Sequence, residues 1–538
     1  MAQTDNRRNV VMILCDQLRP DFLHAYGADF IPTPNIDALA ENGAVFENAV
    51  TASTVCAPAR ASIVTGLSVS GHGGWTNQIP MPENTVYFAD RLNEAGYMTA
   101  AVGCYDHAPR DTNNCGYRYV QRLAEDSIGS EYLAFLKKRH PEAEGCFPRR
   151  PDDPFHFAYT EEEHYDRWCC DRATDFIDSY VQHHTVPNPA HLTENGGLPE
   201  EPAPFFLYCG FFSPHAPNLP PVEMKGRIDP EKLPDIWISH RDEDLPAVER
   251  YRRAFLNPHE LLTDPESGTE LRQKLRVAYC EQICEIDDLV GRIVQSLRRN
   301  GIYDNTTIIF TADHGSMEND YNMSTKGPWP YSPQLFVPLI VSNQPGLQGR
   351  RDCLCGPIDV GATALDIAGD RKAFGISRSL IRMADGSEPE RGSFLSEFCD
   401  SCKTVVDKRY TFTYYPFTGG CALYDRVADP RMAVDLSSRP EYAEVRCRML
   451  MEVIDWLVLA KGLRIEAHDL VPEVKKGIET KKPAFLDDFD IAYPLSSMQA
   501  VERVRQAGLD ADYNEFCKGR PIMAHYGVYF LSGNETKK

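Results

Sequence analysis

Residues 279–315, YCEQICEIDDLVGRIVQSLRRNGIYDNTTIIFTADHG, contain the pattern that decides the fold. Apolar side chains recur at three- and four-residue steps, which predicts a helix with one buried face over Leu271–Arg299 and an end just before Gly301. The short apolar run Thr307–Thr311 follows after a brief turn, as expected of a strand buried on both faces. Helix, turn and strand in this order are half of a βαβ unit. They predict an α/β protein with a mostly parallel central sheet flanked by helices.

Other short apolar runs, bounded by turn or polar residues, predict the remaining strands of this sheet. These runs are Val10–Cys15, Thr99–Val102, Phe205–Phe211 and Leu335–Val341. Residues 145–204 are rich in Pro, Glu and His. We therefore expect this segment to form an excursion over the surface.

The pattern changes from about Ser393 onward. Short strands over Tyr410–Tyr415 and Cys421–Tyr424, then a helical pattern over Tyr442–Leu459, predict a smaller α+β unit. The remainder of the chain is polar and has little periodicity. We expect three parts, which are a catalytic α/β domain over residues 1–390, a C-terminal α+β subdomain with a small antiparallel sheet over 391–465, and a C-terminal extension over 466–538.

The composition excludes several classes of protein. Of the 538 residues, 42% are hydrophobic and 25% are charged, which is enough apolar material for a large core and rules out a disordered chain. Lys and Arg number 56 against 78 Asp and Glu, so the net charge is −22, which disfavours nucleic acid and anionic membranes as partners. No apolar run approaches the roughly 18 residues of a membrane span.

The N-terminus and the cysteines indicate the cellular compartment. The apolar stretch after Arg8 is only Val10–Cys15 and runs directly into Asp16. It is typical of a buried strand, because the apolar region of a secretory signal has about 7–15 residues. Seventeen cysteines cannot all pair within one chain. We therefore expect reduced thiols and a cytoplasmic protein.

Polar residues directly follow two of the predicted strands. Asp16 comes after Val10–Cys15, and the pair Asp313-His314 comes shortly after Thr307–Thr311. In open parallel sheets, functional sites lie at the carboxyl ends of the strands. Asp16 alone is more typical of a turn or helix cap, but an Asp-His pair at this point rarely serves packing. Two carboxylates and an imidazole at strand ends predict a site for a divalent metal.

The most specific stretch is Cys56-Ala57-Pro58-Ala59-Arg60, which continues to Thr65-Gly66. This C-x-P-x-R run with its Thr-Gly ending resembles the signature of the type I sulfatases, which belong to the alkaline phosphatase superfamily. Other segments similar to this family follow in the same order along the chain. They are Asn9–Asp16, Thr33–Ala40, Gly96–Thr99, Pro204–Leu207, Pro214–Pro217, Asp313–Gly315, Lys326-Gly327, Leu423–Asp425 and Asp429-Pro430. The resemblance covers about residues 9–460 and implies an alkaline-phosphatase-like fold.

The resemblance implies a covalent mechanism. In this family the signature cysteine, here Cys56, is oxidised after synthesis to formylglycine, an aldehyde. One hydroxyl of its hydrate attacks sulfur, and the other then expels sulfate by re-forming the C=O bond. By the same resemblance, Arg60 contacts the hydrate or the sulfate, His215 is the general acid for the leaving alcohol, and Lys326 binds an anionic oxygen. Without the family context, these three residues are typical of a capping cation, a core histidine and a solvated lysine.

The resemblance also implies cofactors and partners. One divalent metal would be bound by Asp16, Asp313, His314 and residue 56. Calcium is the usual ion of the family, and the imidazole ligand makes Mn²⁺ or a similar ion the alternative. Conversion of Cys56 implies a partner, either a formylglycine-generating enzyme or an anaerobic sulfatase-maturing enzyme. The C-terminal extension, with AHYGVYF at 524–530, makes a homo-oligomer a further expectation.

Two departures from the family pattern bear on the substrate. Gln17 stands where many sulfatases have a second aspartate. The stretch from Gly103 to His107 lacks the lysine of the family's G-K-x-H motif. His107 corresponds to the histidine of that motif only if one extra residue between the glycine and the histidine is allowed. We interpret Gln17 and His107 as substrate-binding, together with Asn77, for which a turn residue is the ordinary alternative.

These departures also resemble the phosphonate monoester hydrolases and phosphodiesterases of the same fold, which likewise use formylglycine. A sulfate monoester and a phosphate diester each carry one negative charge, so electrostatics alone does not separate them. We predict a sulfatase acting on a small anionic ester. Hydrolysis of phosphonate monoesters or phosphodiesters is the alternative, and a non-catalytic anion-binding protein with unmodified Cys56 is a more remote one.

Overall fold

The structure is a computed structural model that describes residues 7–77, 79, 81–82, 85–105, 114–123, 131–237, 265–323, 325–327, 329, 331–398, 402–416 and 420–467. Its strands are β1 Asn9–Cys15, β2 Gly43–Ala49, β3 Met98–Gly103, β4 Tyr119–Arg122, β5 Phe205–Phe211, β6 Thr306–Ala312, β7 Leu339–Ser342, β8 Gly349–Cys355, β9 Phe394–Phe398, β10 Cys402–Val406, β11 Tyr410–Tyr415 and β12 Gly420–Asp425. Its α-helices are α1 Pro34–Glu41, α2 Cys56–Thr65, α3 Val69–His72, α4 Phe88–Glu94, α5 Glu131–Lys137, α6 Tyr165–His183, α7 Pro265–Arg299, α8 Ser332–Leu335, α9 Val360–Ile367, α10 Leu380–Asp385 and α11 Ala443–Ala467.

The central sheet has eight strands in the order β4-β3-β5-β1-β6-β7-β2-β8. Its strands pair in parallel except β7, which is antiparallel to both of its neighbours. Strands β1, β5 and β6 lie in the middle, and all of their residues are buried. The predicted α/β class with a mostly parallel sheet is confirmed.

The alignment of β1 with β6 determines where their polar successors lie. The two strands pair residue for residue, with Cys15 opposite Ala312 at their carboxyl ends. Asp16 and Asp313 are the next residues of the two strands, so both emerge at the same edge of the sheet.

Helix α7 packs beside α1 and α6 and supports the turn that follows β1. The hydroxyl of Tyr279 donates to the carbonyl of Gln17 at 2.9 Å and accepts the N–H of Arg19 at 3.0 Å. The buried face predicted for this helix is therefore confirmed, and it reaches the edge of the sheet where Asp16 lies.

Two sequence predictions are wrong. The interval 145–204 is not only a surface excursion, because it contains α6, whose Trp168, Phe176 and Ile177 are buried in the main core. Many polar residues of this segment lie on the outer face of α6 and in its flanking turns, whereas His156, His164 and Asp166 are buried. The strand predicted over Leu335–Val341 begins only at Leu339, because the proline at 338 has no N–H to donate to a strand ladder.

The second sheet is antiparallel, with the order β12-β11-β10-β9. Its strands confirm the small antiparallel sheet predicted near the C-terminus. Helix α11 covers one face, where Met449 and Val453 are buried against Phe412 and Leu423. The predicted C-terminal extension lies, from residue 468 onward, outside the described residues. Every helix within the described ranges is too short or too polar to cross a lipid bilayer.

We predict that Asp287→Ala lowers the stability of the protein by about 1–3 kcal/mol, because donors at the start of α1 lose their acceptor. The Asp287 carboxylate on α7 accepts the N–H groups of Asn35 and Ile36 at 2.9 and 2.8 Å and the side-chain amide of Asn35 at 2.8 Å. Equilibrium urea unfolding measures the effect. The neighbouring Asp288→Ala is the control, since Asp288 pairs with Arg227 at the surface and such pairs contribute less than about 1 kcal/mol. Equal losses in the two variants would contradict the prediction.

Candidate active site

Asp16 and Asp313 form the floor of a buried polar cluster at the carboxyl edge of the central sheet. Both side chains are fully buried. Asp313 Oδ1 accepts the backbone N–H groups of Gln17 at 3.1 Å and of His314 at 2.7 Å. Gln17 adopts the left-handed backbone conformation, with a φ of 68°. A non-glycine residue is uncommon there and is typical of functional sites held by their surroundings.

Arg60 joins the two carboxylates. It lies one turn into α2 and is 2% exposed. Its Nη2 is 2.8 Å from Asp16 Oδ2, its Nε is 2.8 Å from Asp313 Oδ2, and its Nη1 donates to the carbonyl of Cys104. Burial acts to lower the pKa of Arg60, but Cys104 and the two carboxylates raise it, and the net shift is upward. The guanidinium therefore stays charged and holds one oxygen of each carboxylate, which leaves the other oxygens facing the cluster.

His314 presents a lone pair to the same cluster. Its Nδ1 lies 2.8 Å from the carbonyl of Gly315, which can only accept, so Nδ1 carries the proton and Nε2 does not. This Nε2 lies 3.1 Å from Cys56 Sγ, 3.6 Å from Asp16 Oδ1 and 3.8 Å from Asp313 Oδ1. Burial lowers the pKa of His314 to about 4, against the opposing effect of Asp313. The ring is neutral near pH 7, which is the form that binds metals.

The four predicted metal-binding residues come together in the structure. Asp16, Cys56, Asp313 and His314 are all buried, and one ligand atom from each lies within 4.8 Å of the others. Carboxylate oxygens and a neutral imidazole nitrogen are ligands for a divalent cation, with Ca²⁺ suited by the oxygens and Mn²⁺ by the mixed set. The residues therefore fit the metal that the sequence implied.

Lys326 and His215 lie on the more open side of the cluster, and both are partly exposed. The ammonium of Lys326 donates to Cys56 Sγ at 2.5 Å, to His215 Nε2 at 2.9 Å and to His314 Nε2 at 3.2 Å. Burial acts to lower the pKa of Lys326, but Cys56 and Asp16 raise it and the net shift is upward. A charged ammonium and an imidazole therefore stand together beside Cys56, where an anionic group could approach.

Of the three other predicted site residues, the structure describes Asn77 and Gln17. Asn77 is brought to the start of α2, where its Oδ1 accepts the backbone N–H of Ala57 at 3.0 Å. The Gln17 side-chain amide donates to Ser316 Oγ at 2.9 Å. His107 lies outside the described residues.

Gln334 is a structural contributor to the site that the sequence analysis missed. Its side-chain oxygen accepts the N–H of Gly327 at 2.9 Å, and its amide nitrogen donates to the carbonyl of the same residue at 3.0 Å. Thr54 Oγ1 donates to this carbonyl as well, at 2.9 Å. A Cβ on Gly327 would lie 2.7 Å from the ring of Trp329, so the turn that presents Lys326 requires glycine. Nothing in the sequence around Gln334 distinguishes it from an ordinary polar residue.

Comparison with known proteins identifies the family of the chain. Residues 8–370, well over half of the chain, match the sulfatase family model. The chain belongs to the sulfatase family. The resemblance expected from the sequence is thereby confirmed.

Two relatives of this sulfatase-family chain span most of its length. An arylsulfatase of Clostridium perfringens is 29% identical over 475 residues, which cover 81% of this chain and 91% of the relative. A multifunctional alkaline phosphatase superfamily protein of Trinickia caryophylli is 28% identical over 504 residues, covering 84% and 95%. The crystal structure of a phosphonate monoester hydrolase of Agrobacterium radiobacter superposes with a TM-score of 0.68 at 24% identity, over 84% of this chain and 96% of that one. That superposition shows a shared fold.

We predict that Arg60→Met lowers the free energy of unfolding by about 3–5 kcal/mol, because it leaves two buried carboxylates without their cation. Urea unfolding in the presence of a chelator measures the effect without compensation by a bound metal. Arg350→Met is the matched control, since Arg350 is 54% exposed and pairs with Glu47 at the surface. We expect it to lose less than about 1 kcal/mol. An Arg60→Met protein as stable as the control would overturn the role assigned to the double ion pair.

Proposed function

We propose that this sulfatase-family protein hydrolyses a sulfate monoester to an alcohol and inorganic sulfate, with residue 56 as the nucleophile in its formylglycine form. The observation that carries the proposal is the position of Cys56. Its Sγ lies 3.1 Å from the imidazole of His314, 3.5 Å from the Asp16 carboxylate and 2.5 Å from the Lys326 ammonium. A side chain surrounded by metal-binding groups on one side and by a cation on the other is suited to nucleophilic attack on an anionic ester.

The location of residue 56 favours the chemistry as well. It is the first residue of α2, a helix of 10 residues. The positive end of a helix dipole stabilises negative charge at this point. As a hydrate, formylglycine would supply one hydroxyl for attack and a second whose deprotonation releases sulfate.

Asp16, Asp313 and His314 would hold one divalent metal together with residue 56. Ca²⁺ is the expected ion and Mn²⁺ the alternative, since the set mixes oxygen and nitrogen ligands. Such an ion supplies Lewis acidity beside the nucleophile. Arg60, in contact with both carboxylates at 2.8 Å, would keep them correctly spaced for this role.

His215 and Lys326 would act on the ester itself. His215 Nδ1 lies 2.5 Å from the carbonyl of Ala216, so Nε2 is the nitrogen that exchanges a proton. We assign His215 the general acid role, in which Nε2 protonates the leaving oxygen as its bond to sulfur breaks. Lys326 would bind a non-bridging oxygen of the ester. Asn77, Gln17 and His107 remain proposed contacts to the substrate.

A phosphonate monoester hydrolase or phosphodiesterase is the second candidate function. The relative from Trinickia caryophylli is described as multifunctional, and Gln17 replaces the second aspartate of many sulfatases. A site with fewer formal charges tolerates either kind of monoanionic ester. The non-catalytic alternative is less well supported, because it offers no reason for Cys56, Lys326 and His215 to meet.

Maturation requires an enzyme that oxidises Cys56, either a formylglycine-generating or an anaerobic sulfatase-maturing enzyme. We place this event in the cytoplasm.

We predict that co-expression with a maturing enzyme lowers the mass of the peptide containing Cys56 by about 18 Da. This is the mass difference between the CH₂SH side chain of cysteine and the CHO side chain of formylglycine, the aldehyde that the proposed covalent catalysis needs. Peptide mass spectrometry checks this. Cys56→Ala, expressed in the same way, should show no shift and no esterase activity. Full activity with an unshifted peptide would show that formylglycine is not used.

We predict that the matured enzyme prefers sulfate. Its kcat/KM for 4-nitrophenyl sulfate should exceed those for 4-nitrophenyl phenylphosphonate and bis(4-nitrophenyl) phosphate by at least about tenfold, which corresponds to about 1.4 kcal/mol. Because the three esters share one leaving group, the comparison reports on the group that is transferred, which is the central atom with its remaining substituents. The reverse order would establish the second candidate function.

A further inference from the structure

The loop that carries His215 is held from behind by buried side chains that no catalytic motif contains. It follows β5 and spans residues 212–219. The supporting groups come from the start of α6 and from the middle of α7. Four of them are buried with exposures of 0%, whereas His215 itself is partly exposed. They are His164, Asp166, Gln282 and Glu285.

Gln282 bridges the two ends of this loop. Its amide nitrogen donates to Ser213 Oγ at 2.8 Å and to the hydroxyl of Tyr165 at 2.9 Å. Its amide oxygen accepts from the side chain of Asn218 at 3.0 Å. Asn218 Nδ2 also donates to the carbonyl of Pro214 at 2.9 Å. One side chain therefore binds the residues that stand two positions before and three positions after His215.

Asp166 fixes the point where the loop leaves the sheet. Its two carboxylate oxygens accept the N–H of Phe212 at 2.7 Å and of Ser213 at 3.0 Å. The His215 ring packs against Phe212, with ring centroids 4.9 Å apart. The orientation of His215 therefore depends on backbone that Asp166 and Gln282 hold.

His164, Asp166 and Glu285 lie close enough together to suggest a second metal site. His164 Nε2 donates to the carbonyl of Leu219 at 3.0 Å, so its Nδ1 is an acceptor, and this Nδ1 is 2.6 Å from Glu285 Oε1. Two ligands of one metal ion, each bound at about 2.1 Å, lie about 3 Å or more apart. The 2.6 Å between His164 Nδ1 and Glu285 Oε1 is too short for two ligands of one metal ion. His164 holds the end of the loop at Leu219, Asp166 holds its start at Phe212 and Ser213, and Glu285 lies behind His164.

We propose that Gln282 is a positioning residue for His215. This inference rests on the proposed role of His215 as general acid. By joining Ser213 to Asn218, Gln282 closes the loop and fixes the distance from His215 Nε2 to the leaving oxygen. In this step the ring starts as the imidazolium, with Lys326 turned away from Nε2 toward the anionic ester. The proton passes from Nε2 to the leaving oxygen as the ester bond breaks, and the ring is left neutral with its Nδ1–H on the carbonyl of Ala216. A displacement of about 1 Å costs such a transfer about a hundredfold in rate.

The leaving group provides a readout that a general loss of stability would not change. 4-Nitrophenolate departs without much help from an acid, whereas phenolate needs protonation. The test compares 4-nitrophenyl and phenyl esters of whichever group, sulfate or phenylphosphonate, the matured wild-type enzyme hydrolyses. We expect Gln282→Ala to lower kcat for the phenyl ester about 10- to 100-fold and for the 4-nitrophenyl ester less than about threefold.

Asn218→Ala provides a second and milder variant, since Asn218 is partly exposed and its loss breaks the same bridge. We expect the same selective effect, and we expect the double variant to lose less than the sum of the two single losses, because both changes remove the hydrogen bond between Gln282 and Asn218. Asp287→Ala is the control on the same helix. It should lower stability and leave the ratio of the two rates at the wild-type value.

The outcomes distinguish a failure of the positioning role of Gln282 from a failure of the general acid role of His215. Equal losses on both esters, or additive effects in the double variant, would overturn the role of Gln282. His215→Ala tests the underlying assignment, and it should raise the ratio of the two rates at least as much as Gln282→Ala. If His215→Ala leaves that ratio unchanged, the general acid assignment fails. If His215→Ala changes the ratio and the Gln282 and Asn218 variants do not, only the positioning role fails.

Discussion

The double ion pair of Arg60 with Asp16 and Asp313 is the interaction on which the rest of the site depends. Two carboxylates cannot share a fully buried edge of a sheet unless a cation stands between them. Arg60 fulfils this requirement from α2, with both contacts at 2.8 Å. Because Cys56 begins the same helix, the residue that would become the nucleophile is placed relative to the carboxylates by a rigid turn of helix. Removal of the guanidinium would disturb the charge balance and the placement of residue 56 together.

The charges of the site contrast with those of the whole chain. The protein carries a formal charge of −22. Inside the site, the two carboxylates are balanced by the cationic side chains of Arg60 and Lys326, and His314 is neutral. A divalent metal would then give this region a net positive charge that attracts a small anion, while the surface still repels large polyanions. Under the proposed function, the same balance would suit any monoanionic ester. Selection between sulfate and phosphonate would then come from shape and from hydrogen bonds.

Much of the fold and most of the site could be predicted from the sequence. Strands β1, β5 and β6 are continuous apolar runs because they are buried on both faces, and the polar residues at their ends follow from the geometry of parallel sheets. The signature around Cys56 led to the family. The sequence analysis missed helix α6 because polar residues are abundant on its outer face and in its flanking turns. They obscure the periodic apolar residues, such as Trp168 and Phe176, that form its buried face.

Gln282 and Asp166 could not have been predicted in this way. Each is a polar residue whose partners are distant in sequence, in the loop after β5, and their pairing arises only when α6 and α7 pack against the sheet. The local sequence pattern predicts strands and motifs, because these depend on residues that are near one another in the chain. It does not predict hydrogen bonds between different helices, strands and loops, because those depend on tertiary packing.

The residue-for-residue alignment of β1 with β6 constrains how this protein can change over time. Side chains alternate between the two faces of a strand, so losing or gaining one residue within either strand would turn its terminal aspartate to the opposite face. The two carboxylates would then no longer converge on Arg60. Length changes are therefore tolerable only in the connections between strands. A new substrate preference would have to arise from those connections, above an edge of the sheet whose spacing is fixed.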